Sequence, residues 1–149
     1  MSVNQGIQIL VVDDEPMFRQ SMKRLLQHDG HKVHVVDSGE AALEQLAKRK
    51  FDLIITDFSM PGMHGDQLVS RIRQIHAAQP IILVTAFVEE YRVFGEASGR
   101  VDALLLKPFS FKELRGAIEQ ALNAGDTGDK GVMPPAIDPP PAQNFMPPA

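Results

Sequence analysis

The chain contains no cysteine. Disulfides, thiolate metal sites and a cysteine nucleophile are therefore excluded. It has no surplus of positive charge: 15 Lys and Arg stand against 19 Asp and Glu, a net charge of −4. No basic field gathers nucleic acid, so direct nucleic-acid binding is not expected. Long apolar runs are also missing. The N-terminus, "MSVNQGIQILVVDDE", has no cationic stretch, and its apolar run "ILVV" is too short for a signal peptide or a membrane span. Membrane insertion is not expected, and the default reading is a cytoplasmic protein. There is no internal repeat, and 149 residues suit one ordinary domain rather than two.

Proline is present, but unevenly. Residues 133–149 read "MPPAIDPPPAQNFMPPA", with 7 prolines in 17 residues, after a Gly- and Asp-rich "NAGDTGDKG". Such a stretch cannot form a helix or an inner strand, and it buries little apolar area. Residues 125–149 are therefore expected to be a disordered tail or linker, leaving residues 1–124 as the folded domain. A Pro-rich stretch after the last helix fits both a stand-alone domain and a fragment of a longer chain. Pro16, Pro61, Pro80 and Pro108 each mark the edge of an element in the folded part.

Two patterns alternate there. Residues 7–12, 33–36, 52–56, 81–85 and 102–106 are short, apolar and β-branched, as strands buried on both faces read. Helical stripes separate them over residues 16–27, from Ser38 or Gly39 onward, and over residues 65–76 and 88–97. A final helix starts after Ser110, with Glu113 three residues on completing a capping box. Strand–helix alternation with short links implies right-handed crossovers and a parallel sheet covered by helices on both faces. The expected fold is α/β: a doubly wound three-layer sandwich of five strand–helix units.

In such folds ligands sit beyond the carboxyl ends of the strands, where strand order reverses. Strand one ends in Asp13-Asp14-Glu15, strand three in Asp57, strand four in Thr85 and strand five in Lys107-Pro108. A carboxylate at the end of a buried strand is costly unless something pairs with it. Ionised, the three aspartates carry about −3 against about +1 from Lys107, and like-charge repulsion disfavours that surplus. A divalent cation with hard oxygen ligands cancels it. Mg²⁺ takes one or two carboxylates, a carbonyl and waters, and leaves room for a phosphate oxygen. A carboxylate beside Mg²⁺, a lysine and a hydroxyl is a plausible nucleophile towards a phosphoryl group.

The set "VVDDE", "DFSMPGMHG", "VTAF" and "LLLKPFS" closely resembles the receiver domain of two-component response regulators. The spacing carries the resemblance: an acidic pair, a strand-terminal Asp, Thr 28 residues later (57 to 85), then Lys-Pro 22 residues on (85 to 107). The resemblance covers roughly residues 6–124 and implies a flavodoxin-like fold with strand order 2-1-3-4-5. It implies that Asp57 is the phosphoacceptor. It implies metal ligation by Asp14, Asp57 and the backbone carbonyl of Ser59, with Asp13 acting through metal-bound water. The metal would be Mg²⁺ or Mn²⁺. Thr85 and Lys107 would contact the phosphoryl group, and Lys107–Pro108 would be cis. The implied partners are a sensor histidine kinase or histidine phosphotransfer protein, a downstream protein effector, and a second copy through the face of the fourth helix, fifth strand and fifth helix. The implied activity is signalling: the only chemistry catalysed is the domain's own phosphorylation and dephosphorylation. Leu104 departs from the family pattern, since many receivers carry an aromatic residue three positions before the lysine.

Blander readings exist. Asp13 and Asp14 could cap the first helix. His28, His31 and His34 have spacing that invites a metal, but they straddle a turn and a strand start and are expected on a solvated surface. His64 is expected to be exposed. Gly62 and Gly65 are expected to permit a tight turn beside the site, and Phe87, Tyr91 and Phe94 to be packing residues. A haloacid-dehalogenase-type phosphatase would want Asp-x-Asp after strand one, whereas here the two aspartates are adjacent. A flavin carrier would want a hydroxyl- and Gly-rich phosphate loop where this chain has "DDEP". A degenerate receiver, acting as a phosphorylation-independent interaction module or phosphate sink, is the alternative within the same fold.

Overall fold

A computed structural model describes residues 6–87, 89, 92 and 101–127. The elements are β1 (Gln8–Val12), α1 (Pro16–His28), β2 (Lys32–Val36), α2 (Gly39–Lys48), β3 (Leu53–Asp57), α3 (Gly65–Ile75), β4 (Ile81–Thr85), β5 (Ala103–Leu106) and α4 (Phe111–Thr127). The strands form one sheet of order β2-β1-β3-β4-β5. Every neighbouring pair is parallel. This is the expected doubly wound topology. The helix expected over residues 88–97 lies outside the described residues, apart from Glu89 and Arg92.

The strands are apolar on both faces because each face meets helices, and alternate residues serve opposite cores. Ile9, Val11, Ile55, Val84 and Leu105 pack with Met22 and Leu26 of α1 and Leu114 and Ile118 of α4. Leu10, Val12, Ile54 and Leu83 pack with Ala42 of α2 and Leu68, Val69 and Ile72 of α3. Burying each large aliphatic side chain contributes about 1.5–3 kcal/mol.

Local signals set the element ends. Pro16 opens α1, where its missing N–H costs nothing. Ser38 Oγ accepts the Ala41 N–H at 3.1 Å and caps α2. Ser110 and Glu113 form the reciprocal capping box, Ser110 N–H to Glu113 Oε1 at 2.8 Å and Glu113 N–H to Ser110 Oγ at 3.0 Å. The helix they start runs to Thr127, three residues past the boundary placed at 124. Asp102, at the entrance to β5, is buried; its Oδ2 accepts the Ile81 N–H at 2.9 Å and pairs with Arg73 at 3.2 Å. One carboxylate thus ties β4, β5 and α3 together at the end opposite the candidate site.

Two side-chain expectations are corrected. His31 is buried rather than solvated. Gly30 turns the chain at φ +94°, and the His31 N–H donates to the Leu26 carbonyl at 3.1 Å, which draws the residue against the end of α1. Burial pulls its pKa down. His28 is exposed, while His34 is half-buried and sets its ring edge-on to Phe51 at 5.5 Å. Phe87 is 60% exposed and is not a core residue, because the chain leaves the sheet after Thr85. Tyr91 and Phe94 lie outside the described residues. Among the described residues no helix is long and apolar enough to cross a membrane.

Candidate functional site

Parallel pairing puts the carboxyl ends of all strands on one edge. β1 and β3 are neighbours with Val12 opposite Thr56, so the residues that follow them, Asp13 and Asp57, come together. The carboxylate oxygens of Asp13, Asp14 and Asp57 lie within 4.8 Å of one another. Asp13 and Asp57 are buried, at 1% and 7% exposure, whereas Asp14 faces solvent. Lys107, just past β5, reaches back over β4 and places Nζ 3.3 Å from Asp13 Oδ2 and 3.4 Å from Asp57 Oδ1. The Lys107–Pro108 peptide is cis.

The backbone holds the acidic turn in place. Asp13 Oδ1 accepts the Glu15 N–H at 2.8 Å, and Arg19 Nη1 donates to the Asp13 carbonyl at 2.8 Å. On the β3 side, Gly62 takes φ +79° and the Gly65 N–H donates to the Phe58 carbonyl at 2.8 Å. A Cβ on Gly65 would meet the Asp57 carbonyl oxygen and come within 2.7 Å of Phe58 Cα. The start of α3 therefore presses directly on the end of β3, which only glycine permits. Ser59, two residues past Asp57, is exposed, and so is His64.

Burial and like charge dominate the electrostatics, with Lys107 opposing them. Burial first, then the charge of Asp13, pushes the Asp57 pKa up to about 6 against the opposing pull of Lys107. Burial also raises Asp13, against the Glu15 N–H and Lys107. For Lys107 burial acts downward, but the two carboxylates outweigh it and the net shift is upward. Thr85 closes β4 beside Asp57's strand and is buried. Its hydroxyl donates to the Phe87 carbonyl at 3.3 Å and accepts the Phe87 N–H at 3.0 Å. Thus Asp13, Asp14, Asp57 and Lys107 are brought into direct proximity. Thr85 sits on the same edge with its hydroxyl engaged by its own loop.

The donor set suits a hard divalent cation. It offers clustered carboxylate oxygens, one of them open to water, with a charge surplus of about −2 after Lys107 is counted. Sequence reasoning missed Phe18, whose ring carries Lys107 Nζ at 4.2 Å from its centroid and meets Phe109 edge-on at 6.0 Å. Phe18 reads in the sequence as one more apolar residue of α1. Nor was Arg19 distinguishable from a solvated helix charge.

A family model described as the response regulator receiver domain matches residues 9–119. The chain belongs to this family: it is a receiver domain of two-component signalling, with the flavodoxin-like fold. The chemotaxis protein CheY-3 of Vibrio cholerae is 31% identical over 121 residues, covering 79% of this chain and 93% of that protein. The response regulator protein FleR of Pseudomonas aeruginosa is 34% identical over 132 residues, 88% of this chain. This chain spans only 28% of FleR's length. Among solved structures, the response regulator TrrA of Thermotoga maritima, in complex with Mg²⁺ and BeF, superposes with a TM-score of 0.70 at 35% identity, covering 78% of this chain and 99% of that one. The receiver domain of a sensor histidine kinase from Pseudomonas aeruginosa, with magnesium coordinated in its active-site cleft, gives a TM-score of 0.74 at 26% identity, covering 79% and 98%.

Proposed function

We propose that this receiver accepts a phosphoryl group on Asp57 from a histidine kinase or phosphotransfer protein, and that the phosphorylated form controls a protein effector. The observation that carries the reading is the Lys107 ammonium set between Asp13 and Asp57 within a cluster of three carboxylates.

An ionised Asp57 oxygen attacks phosphorus. The bond from phosphorus to the donor's imidazole nitrogen breaks, and the imidazole leaves with the electron pair. Lys107 stands next to the oxygens that gain charge. Asp14, Asp57 and the Ser59 carbonyl would hold Mg²⁺, with Asp13 acting through water. The metal supplies positive charge that neutralises the pocket and the phosphoryl oxygens. To donate to the phosphoryl group, Thr85 must give up the hydrogen bond it donates to the Phe87 carbonyl, since a hydroxyl has one proton to give. The loop after β4 then reorganises, and this is the switch. Phe87, two residues past β4, and Leu106, the last residue of β5, are 60% and 40% exposed, and either is open to contact by the effector. The Pro-rich residues 133–149 serve as tail or linker.

Beryllofluoride with Mg²⁺ tests the reading. Amide NMR shifts should appear around Asp57, Thr85 and Phe87 in the wild type and vanish in Asp57→Asn. Shifts of equal size in that variant would overturn the assignment.

A further inference from the structure

Lys107 is only partly enclosed by its two carboxylates. The remaining side of its ammonium lies over the ring of Phe18, with Nζ 4.2 Å from the centroid. That ring is in turn fixed by the edge of Phe109, 6.0 Å away at an interplanar angle of 89°. Phe18 belongs to the first turn of α1, and Phe109 follows Lys107-Pro108. Both rings are half-buried and pack against the α1–α4 core.

We infer that Phe18 is a positioning residue for Lys107: its ring, braced by Phe109, holds the ammonium over the site through a cation–π contact. The inference rests on the role proposed above for Lys107.

The physical reason lies in the length of the lysine. Its stem has four rotatable carbons and a strongly hydrated head, so ordering it costs rotamer freedom. Lys107 must reach from the far edge of β5 across β4 to contact β3 and β1 residues. The carboxylates attract it, but a metal ion entering among them would compete for the same oxygens. An aromatic face attracts a cation without offering an anionic ligand, so it keeps Lys107 in place whether or not the metal is bound. A leucine of similar bulk would fill the space in α1 but would exert no such pull.

The test compares Phe18→Leu, Phe18→Tyr and wild type. In unphosphorylated, metal-free protein, NMR should show the ε-methylene protons of Lys107 displaced upfield by the ring current. The displacement should persist in Phe18→Tyr and collapse in Phe18→Leu. This arm does not depend on Asp57 being phosphorylated. In a second arm, phosphorylation by acetyl phosphate at saturating Mg²⁺ should slow by about three- to tenfold in Phe18→Leu, between the ranges of an exposed and a desolvated cation–π contact, and recover in Phe18→Tyr. Mg²⁺ affinity should hold. In a Lys107→Ala background, Phe18→Leu should add nothing, since the two act as one unit. Unmoved Lys107 protons in Phe18→Leu would overturn the inference. An equal slowing with and without Lys107 would also overturn it, leaving Phe18 a packing residue. If wild type takes no phosphoryl group, the proposed function fails and the ring-current arm alone decides this inference.

Discussion

Lys107 Nζ lies 3.4 Å from Asp57 Oδ1, although the two residues end strands that are not neighbours. Lys107 reaches across the end of β4, where Thr85 sits. Any group added to Asp57 therefore meets the Lys107 ammonium, which arrives across the strand that Thr85 closes.

The first expectation concerns pH and stability. Asp57 has a folded-state pKa raised to about 6, so the folded state holds its proton through a window where the unfolded chain has lost it. Metal-free protein should thus lose stability from this site as pH rises from about 4 through about 6. Asp57→Asn should stabilise metal-free protein by about 1 kcal/mol at neutral pH, less than the full pKa difference because Lys107 and water screen the charge. The gain should disappear in acid below the ordinary carboxylate range. Thermal melts of both proteins across this range check it.

Phosphorylation has its own pH dependence. Only the carboxylate attacks, so the rate with acetyl phosphate should fall about tenfold per pH unit below the Asp57 pKa. Mg²⁺ binds only the ionised form, so raising its concentration should move the inflection to lower pH. An inflection indifferent to Mg²⁺ would place the metal away from Asp57.

Mg²⁺ should raise the melting temperature of the wild type, because it binds the native cluster and relieves carboxylate repulsion. Asp14→Asn should abolish most of that gain, since Asp14 is the solvent-facing member of the cluster and is proposed above as a ligand. Titration of both proteins by differential scanning calorimetry checks it.

Gly65→Ala should destabilise the fold by about 2 kcal/mol or more, as the added methyl strikes backbone that cannot move away. Its effect should exceed that of Ser110→Ala, which loses one cap of α4 at a cost of about 1 kcal/mol. Ser110→Ala should leave phosphorylation unchanged, whereas Gly65→Ala should impair it by displacing Asp57. Urea unfolding with a phosphorylation assay separates the two.

The sheet was legible because each strand is a short apolar run that serves two cores, and parallel order follows from the helices between runs. The acidic cluster was legible for a related reason: topology sends the ends of β1, β3, β4 and β5 to one edge whatever the side chains do. Three features were not legible. The burial of His31 depends on the φ of Gly30 and one hydrogen bond to Leu26. The contact of Phe18 with Lys107 joins residues far apart in sequence and follows no period. Arg19, which holds the Asp13 carbonyl, looks like any helix arginine until the turn is folded against it.

Leu104 bears on how the signal leaves the site. It pairs with Leu83 and packs against the α2–α3 core, and it has neither a ring to turn nor a hydroxyl to engage. The output should therefore run through the loop after Thr85 rather than through a side-chain rotation at position 104. Leu104→Ala should lower stability while leaving phosphorylation of Asp57 within about twofold of wild type, as expected for a packing residue remote from the chemistry.

The most direct measurement is intact-mass and peptide-mapping mass spectrometry after incubation with acetyl phosphate and Mg²⁺. The wild type should gain one phosphoryl group, mapped to Asp57, and the gain should disappear with a chelator and in Asp57→Asn. Lys107→Ala should gain it far more slowly. A phosphoryl group retained at wild-type level in Asp57→Asn, or none taken up by wild type at all, would contradict the assignment of Asp57 as the phosphoacceptor.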